Sequence, residues 1–134
     1  MSNRPTLTPT ISRTSAGSLE LMDVFTCRDS VKFCKDSVEH GINVIAADYN
    51  SNGVYDYSYE ISKYNRKPDD NILLVLGSEG EGINSKLAKV CQENVYIGKS
   101  TLDKELIFPY TLIDSLNVSV SSGVLLDRLT KGNR

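Results

Sequence analysis

Asn71-Ile72-Leu73-Leu74-Val75-Leu76-Gly77-Ser78-Glu79-Gly80-Glu81-Gly82-Ile83 is the stretch that decides the fold. Residues 71–76 read as a strand, of which 72–76 is an apolar run without alternation. That is the pattern of a strand covered on both faces, as in a parallel sheet. Residues 77–82 follow as a tight glycine turn, and a helix is expected over 83–93. Strand, glycine turn and helix together make the repeating unit of an α/β protein. The carboxyl ends of its strands are where such sheets bind ligands.

The same pattern recurs on both sides. A second continuous apolar run, 42–47, predicts another buried strand, and 94–97 predicts a short third one. A helix is expected over 28–40, with Val31, Cys34 and Val38 on its apolar face and Gly41 at its stop. Thr8-Pro9 opens a helix read over 9–19, with Thr8 as cap and Pro9 in the first helical position. Its small residues Ser12, Ser15, Ala16, Gly17 and Ser18 favour close packing. A short strand is expected over 21–26. Residues 48–59 carry Tyr49, Tyr55, Tyr57 and Tyr59 and read as a loop or sheet edge. A polar connection, 62–70, includes Lys63, Arg66 and Lys67. After a polar loop over 98–107, Phe108-Pro109 begins a second loop, and the last helix is expected over 115–129 with Ser115 as its cap. No internal repeat is present. The alternation of strands and helices predicts an α/β protein with a largely parallel sheet.

Composition narrows the function. A length of 134 residues is that of one domain, and 40% hydrophobic with 24% charged residues suffices for a core. No apolar run approaches the ~18 residues of a membrane span. The start lacks the basic–apolar–small pattern of a secretory signal. Cys27, Cys34 and Cys91 are an odd number in a chain that needs no staples, which fits a reducing compartment: cytosol, nucleus or mitochondrial matrix. Cys27 and Cys34, read as sharing one helix, are expected to be core thiols rather than a metal pair. With His40 as the only histidine, a histidine-rich metal site or a histidine-based triad is disfavoured, and no metal is expected. A net charge of −2 gives no global attraction to nucleic acid, so any such contact must be local.

Two stretches carry chemistry. The glycines of 77–82 are spaced G-x-x-G-x-G, which is not the dinucleotide pattern. Ile83-Asn84 stands where a phosphate loop would need Lys and Ser or Thr. Glu79 and Glu81 would repel phosphate. Two readings remain: a loop offering backbone groups to a neutral or cationic ligand, or a tight turn with solvated acids. The second stretch, Ser115-Leu116-Asn117-Val118-Ser119-Val120-Ser121-Ser122-Gly123, opens a helix with poor helix formers. It faces a ligand or close partner, or it is a small-residue packing face. The tyrosines of 48–59 could stack on bases or form an edge or dimer surface. Lys63, Arg66 and Lys67 could meet phosphate or lie solvated.

Taken together, these stretches resemble a known family. Leu74-Val75-Leu76-Gly77-Ser78-Glu79-Gly80-Glu81-Gly82-Ile83 resembles motif 2 of the SpoU/TrmH group of SPOUT RNA ribose methyltransferases. Phe108-Pro109-Tyr110 through Ser115-Leu116-Asn117-Val118-Ser119-Val120 resembles motif 3. Leu7-Thr8-Pro9 with Thr14-Ser15-Ala16-Gly17-Ser18-Leu19-Glu20 is similar to a segment of the subgroup acting on large-subunit ribosomal RNA. The likeness covers nearly the whole chain. It is greatest to the fungal-type mitochondrial enzymes that methylate a guanosine 2′-hydroxyl.

The resemblance implies an α/β SPOUT fold with a parallel sheet and a deep trefoil knot near the carboxyl terminus. It implies that 1–134 is a partial S-adenosylmethionine-binding domain, with Leu76, Gly77, Ile97, Phe108, Pro109 and Leu116 at the cofactor. Glu79, Ser115 and Asn117 match positions the family uses for catalysis or for structuring the knot. Methyl transfer to a ribose 2′-hydroxyl of large-subunit rRNA, a homodimer packed through the last helix, and a mitochondrial location are implied as well. The sequence departs from the family in one respect: the N-x-G-A-x-x-R motif with the key arginine is absent from these residues. Arg13 lies in a different motif and does not take that role. The arginine is expected upstream, with the first strand–helix–strand portion of the domain and an RNA-binding domain. The alternative is a non-catalytic RNA-binding and dimerisation module of the same fold.

Overall fold

The computed structural model describes residues 7–48, 54–67, 69–78, 81–98 and 116–131. Among these residues four strands form one sheet: β1 (Asn43–Ala47), β2 (Ser58–Glu60), β3 (Ile72–Leu76) and β4 (Glu93–Tyr96). Their order is β2-β4-β1-β3, and all three pairings are parallel. Every expected strand from 42 onward is present to within a residue. β1 is central, and its Val44, Ile45 and Ala46 are fully buried. This explains the apolar run 44–47, since a strand with neighbours on both edges and helices on both faces has no wet side.

Among the described residues four α-helices accompany the sheet: α1 (Pro9–Thr14), α2 (Ser30–Glu39), α3 (Ser85–Ala88) and α4 (Val118–Lys131). α4 covers the face that carries Ile45 and Val95. Leu125 and Leu129, one turn apart, pack there with Ile61 and Tyr64. Against that cluster lie the partly buried Ala47, Ile72, Leu74 and Ile97. α2 lies on β1 and against α3, with Cys34 and Ser37 buried. Ser37 satisfies its hydroxyl by donating to the Phe33 carbonyl at 2.8 Å. Arg66 donates to the Leu129 carbonyl at 3.0 Å and to the Asp70 carbonyl at 2.9 Å. Those two bonds fix the last turn of α4 beside the chain entering β3, at the amino end of the sheet.

Several expectations are corrected. The helix over 9–19 stops at Thr14, and a 3₁₀ turn follows at Ser18–Leu21. Thr14 and Ser15 bond back to the carbonyls of Thr10 and Ser12, and Ala16 and Gly17 adopt positive φ (51° and 82°). Short polar side chains compete with the helix ladder here, and the left-handed pair ends it. No strand forms over 21–26. Leu21, Met22, Val24 and Phe25 are exposed, because strand propensity does nothing without a neighbouring strand.

The helix over 83–93 shrinks to Ser85–Ala88. Asn84 caps it, its side-chain oxygen accepting from Lys86 N at 2.8 Å. Gln92 already belongs to the sheet: its N–H donates to the Val44 carbonyl at 2.8 Å and its side chain accepts from Val44 N at 3.1 Å. α2 begins at Ser30 with Asp29 as its cap, so Cys27 is exposed outside the helix and does not share it with Cys34. α4 begins at Val118, which makes Asn117 and not Ser115 the residue before it.

Candidate functional site

The carboxyl ends of β3, β1 and β4 lie side by side. The register pairs Ala47 with Leu76 on one edge and with Val95 on the other. One residue further on, Asp48 is therefore level with Gly77 and Tyr96. Ile97 and Gly98 follow from β4. The sheet thus brings Leu76, Gly77 and Ile97 of the expected site to one edge.

Gly77 and Gly82 shape the first loop. The chain folds back so that Ser78 N donates to the Gly82 carbonyl at 3.1 Å and Gly82 N to the Ser78 carbonyl at 3.0 Å. A Cβ at position 77 would come within 2.5 Å of the Gly82 carbonyl carbon. Only glycine permits that approach, and Gly82 itself has φ 67°. The Ser78 hydroxyl accepts from Glu81 N at 3.2 Å. The tight turn read from the sequence is present, and it ends β3 with Leu76 41% exposed.

A second group of contacts, centred on Asn94, has no motif to announce it. Asn94 is fully buried on β4. Its side-chain oxygen accepts from Asp48 N at 3.0 Å, and its amide donates to the Asp48 carbonyl and to the Ser58 hydroxyl, each at 2.9 Å. All three strong bonding positions serve one purpose: they hold the end of β1 to β4 and β2. Tyr55 donates its hydroxyl to Asp48 Oδ2 at 3.3 Å. Burial, then the Asp48 charge, pushes the Tyr55 phenol well above its ordinary range. The only sequence signal for Asn94 is an amide inside an otherwise apolar strand.

At β2, Glu60 lies against Gly98, where an added Cβ would meet its carboxyl group at 2.6 Å. Ser62 donates to Glu60 Oε1 at 2.8 Å, and Lys63 lies 3.8 Å from Oε2. With Asp48 and Glu81, this gives the carboxyl edge of the sheet an acidic character among the described residues. That edge suits a cationic ligand better than a phosphate tail.

Asn117 caps α4, its side-chain oxygen accepting from Ser119 N at 2.9 Å. Leu116, beside it, is 49% exposed. Because Arg66 fixes the other end of α4 at the amino end of the sheet, the helix carries these two residues away from that end. Glu79, Phe108, Pro109 and Ser115 lie outside the described residues, as does the segment 99–115 through which a knot would thread.

The basic connection is structural in part. Arg66 spends its guanidinium on two carbonyls, and Lys63 faces Glu60. Among the tyrosines, Tyr59 stacks edge-on against Tyr64 at 5.8 Å, while Tyr57 is 61% exposed. His40 caps α2 and donates from Nδ1 to the Asp36 carbonyl at 2.7 Å. Among the described residues no cluster of His, Cys, Asp and Glu could hold a metal ion.

Fold and site define an α/β protein that offers glycine turns and carboxylates, not a lysine-bearing phosphate loop, at the carboxyl edge of a parallel sheet. Comparison with known proteins takes the class further. The chain belongs to the SpoU rRNA Methylase family, whose profile matches residues 2–127. It is similar to the Saccharomyces cerevisiae protein named rRNA methyltransferase 1, mitochondrial, at 30% identity over 92% of this chain and 31% of that protein. The human protein of the same name is 35% identical over 90% of this chain and 33% of its own length. The chain thus spans about a third of these relatives. Among solved structures, an AdoMet-bound rRNA methyltransferase from Sinorhizobium meliloti superposes with TM-score 0.68 at 18% identity, covering 89% of this chain and 39% of that one. A TrmH-family structure from Porphyromonas gingivalis gives TM-score 0.69 at 23% identity, covering 90% and 42%.

Proposed function

We propose that this chain is the S-adenosylmethionine-binding part of an enzyme that methylates a ribose 2′-hydroxyl of ribosomal RNA. The observation that carries the reading is the loop at Gly77, closed against the Gly82 backbone beside the ends of β1 and β4, in a chain of the SpoU family. The residues fit the cofactor. Gly77 lets the loop close against Gly82, the neighbouring carboxylates suit a sulfonium and an ammonium group, and no lysine is needed. When bound, the cofactor supplies an activated methyl group.

Gly77, Leu76 and Ile97, with Phe108, Pro109 and Leu116, hold that cofactor. Glu79, Ser115 and Asn117 orient the ribose or pin the loops by hydrogen bonds. The 2′-hydroxyl is a weak nucleophile, so its acceptor and its alignment with the methyl group contribute most of the catalysis. The substrate is large-subunit rRNA at a guanosine. The names of the relatives support a mitochondrial location. A trefoil knot and a homodimer complete the reading. Val120, Val124 and Leu126, exposed on α4, supply apolar surface for the dimer.

Isothermal titration with S-adenosylhomocysteine tests the cofactor half, with micromolar binding expected. A folded chain that takes up no ligand would sink it. A non-catalytic RNA-binding and dimerisation module of the same fold is the second reading. Transfer of radiolabelled methyl groups to rRNA separates the two.

A further inference from the structure

We infer that Asp48 is a cofactor-binding residue whose carboxylate recognises the positive charge of the bound molecule. The assignment rests on the proposed S-adenosylmethionine site and adds to it a residue that lies in neither motif. Asp48 directly follows the central strand, where the register sets it between Gly77, just after β3, and the residues leading from β4 to Ile97. A ligand held by both of those loops must pass over the end of β1.

The position of Asp48 is built rather than incidental. Asn94, with no exposed surface, holds both its N–H and its carbonyl, at 3.0 and 2.9 Å. Tyr55 bonds one carboxylate oxygen at 3.3 Å. A side chain buried without solvent and committed to fixing two backbone groups of one residue fixes that residue's direction as well. The surroundings agree on charge. Glu60 at Gly98 and Glu81 in the glycine turn add negative potential, and Lys63 is turned to Glu60. S-adenosylmethionine carries a sulfonium and an ammonium group, and both are attracted to such an edge.

The clasp reaches Asp48 through its backbone, so Asp48→Asn removes the charge and leaves the clasp in place. The test compares two ligands by titration calorimetry on the 134-residue chain. S-adenosylmethionine carries both cations, and 5′-methylthioadenosine carries neither while sharing the adenosine. Asp48→Asn is expected to weaken S-adenosylmethionine roughly tenfold or more and to leave 5′-methylthioadenosine unchanged. Asp48→Glu is expected to recover part of the loss. Equal weakening of both ligands, or no change in either, would overturn the assignment. Should Asp48→Asn melt below the assay temperature, Asp48→Glu against Asp48→Gln makes the same comparison of charge at constant length. If the wild-type chain binds neither ligand, the cofactor reading fails first and this assignment falls with it.

Discussion

At Gly77 a single hydrogen in place of a methyl group decides whether the loop after β3 can close. Gly77→Ala would drive Cβ into the backbone of Gly82, which cannot move aside as a flexible side chain could. The substitution is expected to cost about 1–3 kcal/mol in stability and to abolish binding of S-adenosylhomocysteine, read by denaturant titration and calorimetry on the same sample. Asn94→Ala strips from a buried site three bonds that serve Asp48 and Ser58. A loss of about 1–3 kcal/mol is expected, visible as a lower midpoint in urea. The cysteines differ in the same local way. Burial raises the Cys34 thiol and pushes Cys91 up to about 11, while Cys27 is exposed. The thiolate is the reacting form, so Cys27 alone should react quickly with a disulfide reagent near pH 8. All three should react once the chain is unfolded, and a stoichiometric thiol count distinguishes the two states.

Elements form where their ends are satisfied and their faces covered. α4 shows both: Asn117 accepts from Ser119 N, and Leu125 and Leu129 are buried in the core. Asn117→Ala should fray the first turn at a cost of about 1 kcal/mol, seen as faster amide exchange over 118–121 with the last turns unchanged. α3 illustrates the opposite case, since the sheet claims Gln92 before the helix can extend. The segment 21–26 has the composition of a strand and pairs with none of the described strands. Cap chemistry was legible at Thr8, whose side chain accepts from Ile11 N, and the apolar runs were legible along β1 and β3. Where α3 ends was not, because a competing bond from a distant strand decides it. Nor was the role of Asn94, whose partners lie 36 and 46 positions away in sequence.

At the scale of the whole molecule, the polar network joining the amino ends of β1 and β4 to the core sets the response to alkali. Tyr64 donates to Glu93 Oε2 at 2.8 Å, and Asn43 donates to the same oxygen at 3.1 Å. Burial first, then the Glu93 contact, raises the Tyr64 phenol well above its ordinary value, as burial does for Tyr55. In the unfolded chain both phenols ionise near pH 10. Between that value and their raised folded values the native state holds more protons, so stability falls as pH rises. Below pH 10 this contribution is fully present. A stability curve against pH should therefore turn down above about pH 10, and Tyr64→Phe should shallow the slope. An ultraviolet titration in which Tyr64→Phe removes one late-ionising phenol from the native chain checks the cause.

The sequence by itself determined the α/β class, the central buried strands, the glycine turn and the family. Each rests on local features: unbroken apolar runs, residues with special backbone freedom, and contiguous motifs. Tertiary structure alone decided that Asp48 sits level with Gly77 at the sheet edge, that Asn94 fixes it there, and that Arg66 ties α4 to the chain entering β3. The reason is the parallel sheet. Its crossovers place residues far apart in sequence in adjacent register, and hydrogen bonds between them leave no trace in local composition.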